Sequence, residues 1–258
     1  MSDKSILKHA SEGVALGTLA FYAGNVHAHR EMAHRTVKLH PVIREACRFI
    51  FFGVTGQDSR EFSVLHRWHH AYADTPKDQL SPNNRSTPVA FVMNGFDRLK
   101  AQRNVDKMMQ DKKAMCFAAI DTDPALEEKT DGSLGLRSHR MNKLLRKGPL
   151  GPALLFGAVC AVKGPKTASI IIVGAMAVPA LESAYLNANG HGKGSKPYPE
   201  HAGSDGSILG SIISGGDRDQ NTHHAQPWNP RSADPSHPDL TFALITALER
   251  VGLATTKV

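Results

Sequence analysis

Three clusters of histidine recur along the chain at spacings that suit metal binding. They read His29-Arg30-Glu31-Met32-Ala33-His34, His66-Arg67-Trp68-His69-His70 and Gln220-Asn221-Thr222-His223-His224. Neutral imidazole is the commonest side-chain ligand of transition metals, and it suits iron, copper and zinc. Because this many histidines can hold two metal ions when they are brought together, we expect a dinuclear redox centre.

The spacing within each cluster predicts where its side chains point. Residues at i, i+3 and i+4 share one face of an α-helix, so His66, His69 and His70 project together if that stretch is helical. The third cluster repeats this arrangement from Gln220 to His224. A single cluster of this kind is also compatible with a solvated helix face, and the hypothesis of a metal site depends on the whole set.

The first cluster and a fourth element complete that set. His29 and His34 are five residues apart and diverge by roughly 140° on an ideal α-helix, which suits two metals better than one. The fourth element is Asn187-Ala188-Asn189-Gly190-His191, in which Asn187 and His191 share a helical face. An Asn–Gly pair alone indicates a turn, but this one follows an apolar stretch from which a helix would emerge.

In this order, HxxxxH, HxxHH, NxxxH and (H/Q)xxHH, the elements resemble those of the membrane-bound acyl desaturases, most nearly the bacterial acyl-CoA desaturases of the delta-9 type. The flanking sequences at 33–41 and 66–76 resemble the family's runs after the first and second clusters, and 247–254 resembles its C-terminal amphipathic helix. The resemblance covers roughly residues 11–82 and 149–258.

This resemblance implies an all-α, membrane-associated helical bundle with a cytosolic, histidine-rich cap that holds two iron ions. Such a centre uses O₂ and electrons from a ferredoxin or cytochrome partner to insert a double bond into a fatty acyl chain carried by CoA, an acyl carrier or a lipid. The implied ligands are His29, His34, His66, His69, His70, His191, His223 and His224, with Asn187 binding one metal through a water.

The chain departs from the family pattern at three places. Gln220 stands where the acyl-CoA branch has histidine, although some front-end and sphingolipid desaturases have glutamine there. Residues 78–82 lack the histidine of the usual DPHSP, and 192–197 lack the usual aromatic residues. We predict that Gln220 is not a strong metal ligand. Two alternatives stay open: an acyl or lipid hydroxylase of the same superfamily, and a catalytically inactive metal- or lipid-binding relative.

Composition by itself favours a soluble or peripheral protein with one domain, residues 1–258. Hydrophobic residues make up 41% of the chain and aromatic residues 6%, and the mean hydropathy is −0.30. No run reaches the roughly 20 apolar residues that a membrane-spanning helix needs. The chain has three cysteines, an odd number, and they are widely separated. They therefore predict neither a disulfide framework nor a thiolate metal site, which indicates a reducing compartment.

The apolar segments nevertheless fall where a desaturase needs them, at about 11–28, 149–163 and 167–186. The last two are separated by Lys163-Gly164-Pro165-Lys166, which predicts a helical hairpin that ends near Asn187 and His191. We therefore expect short or tilted membrane spans, with the metal site on the cytoplasmic side because that side is the more basic. Its basic residues are Arg137, Arg140, Lys143, Arg146, Lys147, Lys193 and Lys196.

Two further stretches each allow two interpretations, and a third is predicted to be irregular. Residues 41–57 predict an amphipathic helix at the membrane interface or over the metal site, or else an ordinary core helix. Residues 98–115 predict a basic helix that touches lipid headgroups or an acyl carrier, or else a solvated helix face. From 197 to 238, glycine, proline, serine and aspartate predict irregular backbone around the third cluster.

The polar neighbours of the clusters receive separate predictions. Asp217 is the best candidate to orient a ligand histidine, whereas Glu31 and Asp74 are predicted to be surface charges. His27 is predicted to be a bystander, and His40 to be structural.

The formal net charge of +7 fits a membrane surface or an anionic CoA or carrier headgroup. Nucleic-acid binding is not expected, because basic residues clustered with stacking aromatics are missing.

Overall fold

The computed structural model describes residues 2–78, 80, 89, 92, 93, 100, 101, 103–111, 114, 150–192 and 194–257. Within them the chain is mainly helical, as the resemblance predicted, with one short two-stranded sheet in addition. The elements are α1 (Asp3–Ala23), a π-helix (Gly24–Ala33), β1 (Val37–Leu39), α2 (Pro41–Thr55), α3 (Ser59–Tyr72), α4 (Val105–Met108), α5 (Leu150–Lys163), α6 (Pro165–Gly190), α7 (Ile208–Ile213), α8 (Gln220–Ala225), α9 (Leu240–Arg250) and β2 (Ala254–Thr256). β1 and β2 are antiparallel, with Val37 opposite Thr256.

Helices α1 and α6 form the packed centre of the apolar part. They approach closely because glycines of α1 face the backbone of α6: a Cβ added at Gly13 would lie 2.5 Å from the carbonyl oxygen of Ile171, and one added at Gly17 would lie 2.5 Å from that of Ala175. The first histidine cluster directly follows α1, and His191 directly follows α6. This helix pair therefore fixes the relative position of two ligand segments.

The predicted hairpin is confirmed as α5 and α6. Gly164 makes the turn with φ +79°, a conformation that favours glycine. At the turn, Lys163 Nζ donates to Glu12 Oε2 at 2.7 Å, which joins the hairpin to α1. Among the described helices, α6 is long and apolar enough to cross a membrane, and α5 is a shorter apolar helix.

Helix α2 confirms the helix predicted over 41–57. His40 caps its first turn by accepting from Val42 N, as its structural role required, and Gly56 ends it in the left-handed conformation at φ +68°. The helix packs against α1 and α5. Its buried residues Phe51 and Val54 face inward, where they line the cavity described below.

Helix α4 and its neighbours cover the outer side of α3. Ala101, Val105 and Met108 are buried against Val64 and Leu65 of α3. The described basic residues of this stretch, Lys100, Arg103 and Lys107, are exposed, as either interpretation of the predicted basic helix requires. Arg137, Arg140, Lys143, Arg146, Lys147 and Lys193, which were expected to mark the cytoplasmic side, lie outside the described residues.

Candidate metal centre

The first histidine cluster lies in a π-helix rather than an α-helix. In a π-helix the hydrogen bonds run between residues five apart, and His34 N donates to His29 O at 3.0 Å. The two imidazoles consequently lie together, with ring centroids 4.8 Å apart. The predicted divergence of roughly 140° is wrong because it assumed 3.6 residues per turn.

One group of ring nitrogens gathers histidines from all three clusters. His29, His34, His66 and His223 present ligand atoms within 4.8 Å of one another. The Nε2 atoms of His34 and His66 are 2.8 Å apart, and those of His29 and His223 are 3.2 Å apart. His70 joins them, since its Nε2 lies 3.0 Å from Nε2 of both His66 and His223. Five imidazoles thus direct the same ring nitrogen into one small space.

A second group consists of His69, His191 and His224, whose ligand atoms also lie within 4.8 Å of one another. Nε2 of His191 and Nε2 of His224 are buried and have no hydrogen-bond partner among the described residues. Buried polar atoms normally have a partner, so these two nitrogens fit a metal ion between them. His70 stacks on His224 at 4.2 Å between centroids and so connects the two groups.

Five histidines of these groups are held in the neutral, metal-binding form. Burial, and then the neighbouring imidazoles, place the pKa of His66, His70, His223 and His224 well below its ordinary value. Burial also lowers the pKa of His191, against the opposing effect of Asp74. Neutral imidazole offers a lone pair to a metal, whereas imidazolium does not. The donor set therefore fits two nitrogen-ligated metal ions, such as the irons that the resemblance implies.

Carboxylates behind the rings fix which nitrogen faces the metal. Asp78 Oδ2 lies 2.7 Å from His69 Nδ1, and Asp74 Oδ1 lies 3.0 Å from His191 Nδ1. Such contacts set the tautomer and orientation of a ligand histidine. Asp74 is half-buried and pairs with His191, so it is not simply the surface charge that was predicted, and the place of Asp78 behind His69 was not predicted. Burial raises the pKa of Asp74, but the hydrogen bond and charge of His191, together with the hydrogen bond from Gly203 N, outweigh it and leave that pKa below the ordinary value.

Asp217 has the place predicted for it, beside a ligand of the first group. Its Oδ2 lies 3.5 Å from His29 Nδ1, and its Oδ1 accepts from Arg30 Nη2 at 3.0 Å. Burial raises the pKa of Asp217, but the charges of His29 and Arg30 outweigh it and lower the pKa to about 2. The carboxylate is therefore ionised at neutral pH.

Arg30 ties the first cluster to the C-terminal part of the chain. Its side chain is 1% exposed and contacts three acceptors: Asp217, Asp239 at 3.5 Å and the carbonyl of Pro230. Asp239 in turn caps α9 by accepting from Phe242 N at 2.7 Å. No spacing signal in the sequence marks Arg30, because its partners lie about 190 to 210 positions away in the chain.

Glu31 is also buried, so its predicted surface location is wrong. It accepts from Arg44 Nη2 at 2.7 Å and from Leu39 N at 2.9 Å, and it lies 2.7 Å from His27 Nδ1. Burial raises the pKa of Glu31, but these contacts outweigh it and lower the pKa. His27 thus pairs with Glu31 rather than with a ligand, which agrees with the bystander prediction. The carboxylate joins the π-helix to α2 and β1.

The third cluster lies on helix α8, which corrects the expectation of irregular backbone at that position; the segments beside it are mostly turns. Gln220 Nε2 donates to the carbonyl of Asp217 at 2.5 Å. Its side chain fits closely, since a Cβ added at Gly190 would lie 2.5 Å from Gln220 Cγ. Asn187 lies in the last turns of α6, one turn before His191, as predicted.

A largely apolar cavity of about 780 Å³ opens onto these groups. It lies between α1, α2, α3 and α6. Its apolar lining includes Phe21, Phe51, Val54, Phe62, Leu65, Met176, Pro179 and Leu181, and its polar lining includes His29, His66, His69, Asn187, Asp217 and Gln220. Histidines of both groups therefore face a space that suits a long apolar ligand.

Fold and site together define a helical, histidine-rich metal-binding protein with an apolar ligand cavity. A sequence model of the fatty acid desaturase family matches residues 10–237, a span that contains all four ligand elements. The chain belongs to the fatty acid desaturase family, as its motifs predicted. No curated protein matches the chain in a sequence search.

Proposed function

We propose that the protein is a membrane-associated di-iron oxidoreductase that introduces a double bond into a fatty acyl chain. The observation that carries this proposal is the largely apolar cavity whose lining includes His29 and His66 of the first group and His69 of the second. Iron bound there would supply the chemistry in which O₂, two donor electrons and two protons remove two hydrogens from the chain and leave as two water molecules. Electrons come from a ferredoxin- or cytochrome-type donor.

The geometry supports a division of ligands between the two irons. The first iron is assigned His29, His34, His66, His70 and His223, whose Nε2 atoms converge. The second iron is assigned His69, His191 and His224. Asn187, which lines the cavity beside this group, is proposed to bind the second iron through a water, and Gln220 is proposed to contribute only weakly.

The cavity wall supplies binding and position for the acyl chain. Each buried CH₂ contributes about 0.8 kcal/mol, so an apolar slot holds a chain without specific polar contacts. Phe51, Phe62 and Leu65 lie on the wall next to the histidines. By fixing the chain against this wall, the protein determines which carbons face the metals and keeps water from the reacting atoms.

The proposal places α5 and α6 in a membrane with the metal site on its cytoplasmic side. The family is membrane-bound in general, and α6 has the length and composition of a span. The acyl substrate is accordingly carried by CoA, an acyl carrier protein or a membrane lipid. Within the family, the delta-9 type is the branch proposed.

The test is expression in a host of defined lipid composition, followed by fatty acid analysis with double-bond positions. We expect a new alkene with the native chain and none with His69→Ala or His70→Ala, both of which also lose iron. The control is His201→Ala, because the His201 side chain is 41% exposed and belongs to neither group. A hydroxylated product would indicate the hydroxylase, and an iron content of one or none without product would indicate the inactive relative. Full iron in either variant would refute the ligand assignment.

A further inference from the structure

One amide in the lining of the cavity has no hydrogen-bond partner. Asn25 lies at the start of the π-helix and is among the residues that line the cavity. The residue is 7% exposed, and its Nδ2 is buried without a hydrogen-bond partner among the described residues. Buried polar groups in proteins nearly always have such a partner, so this amide requires an explanation.

Other polar side chains of the same lining are paired within the protein. Thr55 Oγ1 donates to Phe51 O at 2.7 Å, and Gln220 Nε2 donates to Asp217 O at 2.5 Å. The carboxylate of Asp217 accepts from Arg30. The unpaired amide differs from these groups, and it suits a partner that enters the cavity with the ligand.

The position of this amide is fixed by the packing of the π-helix. A Cβ added at Gly24 would lie 2.7 Å from Phe51 Cδ2, and Ser63 Oγ of α3 donates to Ala28 O at 3.0 Å, so α2 and α3 both hold the segment. The side chain of Asn25 has only two rotatable bonds, which keep the amide in the lining. Rotation about the second of these bonds turns either Nδ2 or Oδ1 toward the cavity.

The amide lies between an apolar ring and a proposed metal ligand. Phe21, Asn25 and His29 follow one another at intervals of four residues, and all three line the cavity. Four residues are about one turn of a helix whose hydrogen bonds join residues five apart. An acyl chain bound along this side of the cavity therefore passes the amide a short distance from the carbons that face the histidines.

A plain hydrocarbon chain leaves such an amide unpaired, and this opposes binding. A hydroxyl group both donates and accepts hydrogen bonds, so it pairs with the amide in either orientation. Sites that hydrogen-bond a substrate hydroxyl discriminate against analogues without it, because the buried polar group of the site then loses its partner. A hydroxyl on the chain is thus the ligand group that this part of the cavity fits best.

We propose that Asn25 forms a hydrogen-bonding subsite for a hydroxyl group on the acyl chain, a few carbons from the reacting position. This inference rests on the acyl substrate of the proposed function and narrows that substrate to a hydroxylated chain. An apolar slot alone allows a chain to slide along it. The hydrogen bond to Asn25 fixes the register of the chain and so selects the carbons that face the metals.

The experiment measures the binding of fatty acids to the iron-loaded full chain in detergent. The probes are octadecanoic acid and its positional isomers with one hydroxyl, each of which competes with a fluorescent fatty acid of the same length. We expect at least one hydroxylated isomer to bind about 10- to 100-fold more tightly than octadecanoic acid. Asn25→Leu, which removes the amide at similar volume, should abolish this difference. Val54→Ala in the apolar lining should weaken both acids by the same factor and leave their ratio unchanged.

Two results would overturn the inference. Equal affinity of the native chain for octadecanoic acid and for every hydroxylated isomer would show that a trapped water pairs with the amide. Loss of iron from Asn25→Leu with an unchanged affinity ratio would show that the amide supports the metal site instead. Binding without turnover separates these failures from that of the proposed function. If the acids bind without preference, only the hydroxyl subsite is refuted; if none of the acids binds, the acyl cavity of the proposed function is refuted.

Discussion

At the scale of single residues, the carboxylates behind the histidines determine which ring nitrogen is offered to a metal. Asp78, Asp74 and Asp217 each contact Nδ1 of a different ligand, namely His69, His191 and His29. With Nδ1 engaged, Nε2 faces the interior of the site. The arrangement explains why both groups present Nε2 atoms and why buried Asp78 and Asp217 and half-buried Asp74 are tolerated beside them.

Replacing Asp78 with asparagine tests this role. The amide removes the charge that orients His69 and leaves the side-chain volume nearly unchanged, so we expect metal affinity to fall about 10- to 100-fold. Iron content and competition with a chelator measure the loss. Glu45→Gln on the exposed side of α2 removes a comparable charge away from the site and should leave iron content unchanged. Equal iron occupancy in Asp78→Asn and the native chain would contradict the proposed role of Asp78.

Gln220 permits a graded comparison within the third cluster. Amide oxygen binds iron more weakly than imidazole does, and the Gln220 amide nitrogen already donates to Asp217 O. We therefore expect Gln220→Ala to cost much less activity and iron than His223→Ala, and Gln220→His to hold or raise iron occupancy. Activity assays and metal analysis of the three variants measure this. A loss in Gln220→Ala as complete as in His223→Ala would show that the amide takes part in metal or oxygen chemistry.

At the scale of secondary-structure elements, the site depends on two features of helix geometry. The π-helix after α1 brings His29 and His34 onto one side, and the glycine-lined contact between α1 and α6 holds this segment near His191. Because of both features, the positions of the proposed metal ligands depend on how the apolar helices α1 and α6 pack. A change in how α1 and α6 pack should consequently affect metal binding as well as stability.

A pair of identical substitutions separates these effects. Gly17→Ala places a Cβ 2.5 Å from the carbonyl oxygen of Ala175, so α1 must shift; we expect the free energy of unfolding to fall by about 1–3 kcal/mol and iron occupancy to fall with it. Gly157→Ala on α5 meets nothing within 4 Å among the described atoms and should be neutral or stabilising by up to about 1 kcal/mol. Thermal unfolding in detergent and iron analysis give both quantities. Equal behaviour of the two variants would contradict the close α1–α6 contact.

At the scale of the whole molecule, the buried histidines make the metal-free protein sensitive to acid. In the folded chain the pKa of His66, His70, His223 and His224 lies well below 6.5, whereas in the unfolded chain each is near 6.5. Above about pH 7 all are neutral in both states, and they contribute no pH dependence. Below about pH 6.5 the unfolded chain binds protons that the folded chain does not, so stability is lost as pH falls.

Unfolding of the metal-free protein between about pH 7.5 and about pH 5.5 tests this linkage. We expect the free energy of unfolding to decrease toward acid by up to about 1.4 kcal/mol per pH unit for each such histidine. Asp217 does not contribute to this change, because its pKa of about 2 keeps it ionised throughout this range. Metal loading should oppose the decrease, since metal and protons compete for the same nitrogens. A flat profile would show that the histidines are not buried in the neutral form.

The sequence by itself determined the family, the helical fold, the hairpin and the place of Asp217 beside His29, because these depend on residue type and on spacings of three to five positions, and it predicted the ligand set that the proposed function uses. It did not determine the distribution of ligands between the two groups, since His29 and His34 meet only through a π-helix that no α-helical periodicity predicts. The burial of Glu31 and Arg30, and the pairing of half-buried Asp74 with His191, were also decided by tertiary structure. A charge is stable inside a protein only where partners surround it, and these partners lie on other elements that only folding brings together: Arg44 for Glu31, His191 for Asp74 and Asp217 for Arg30.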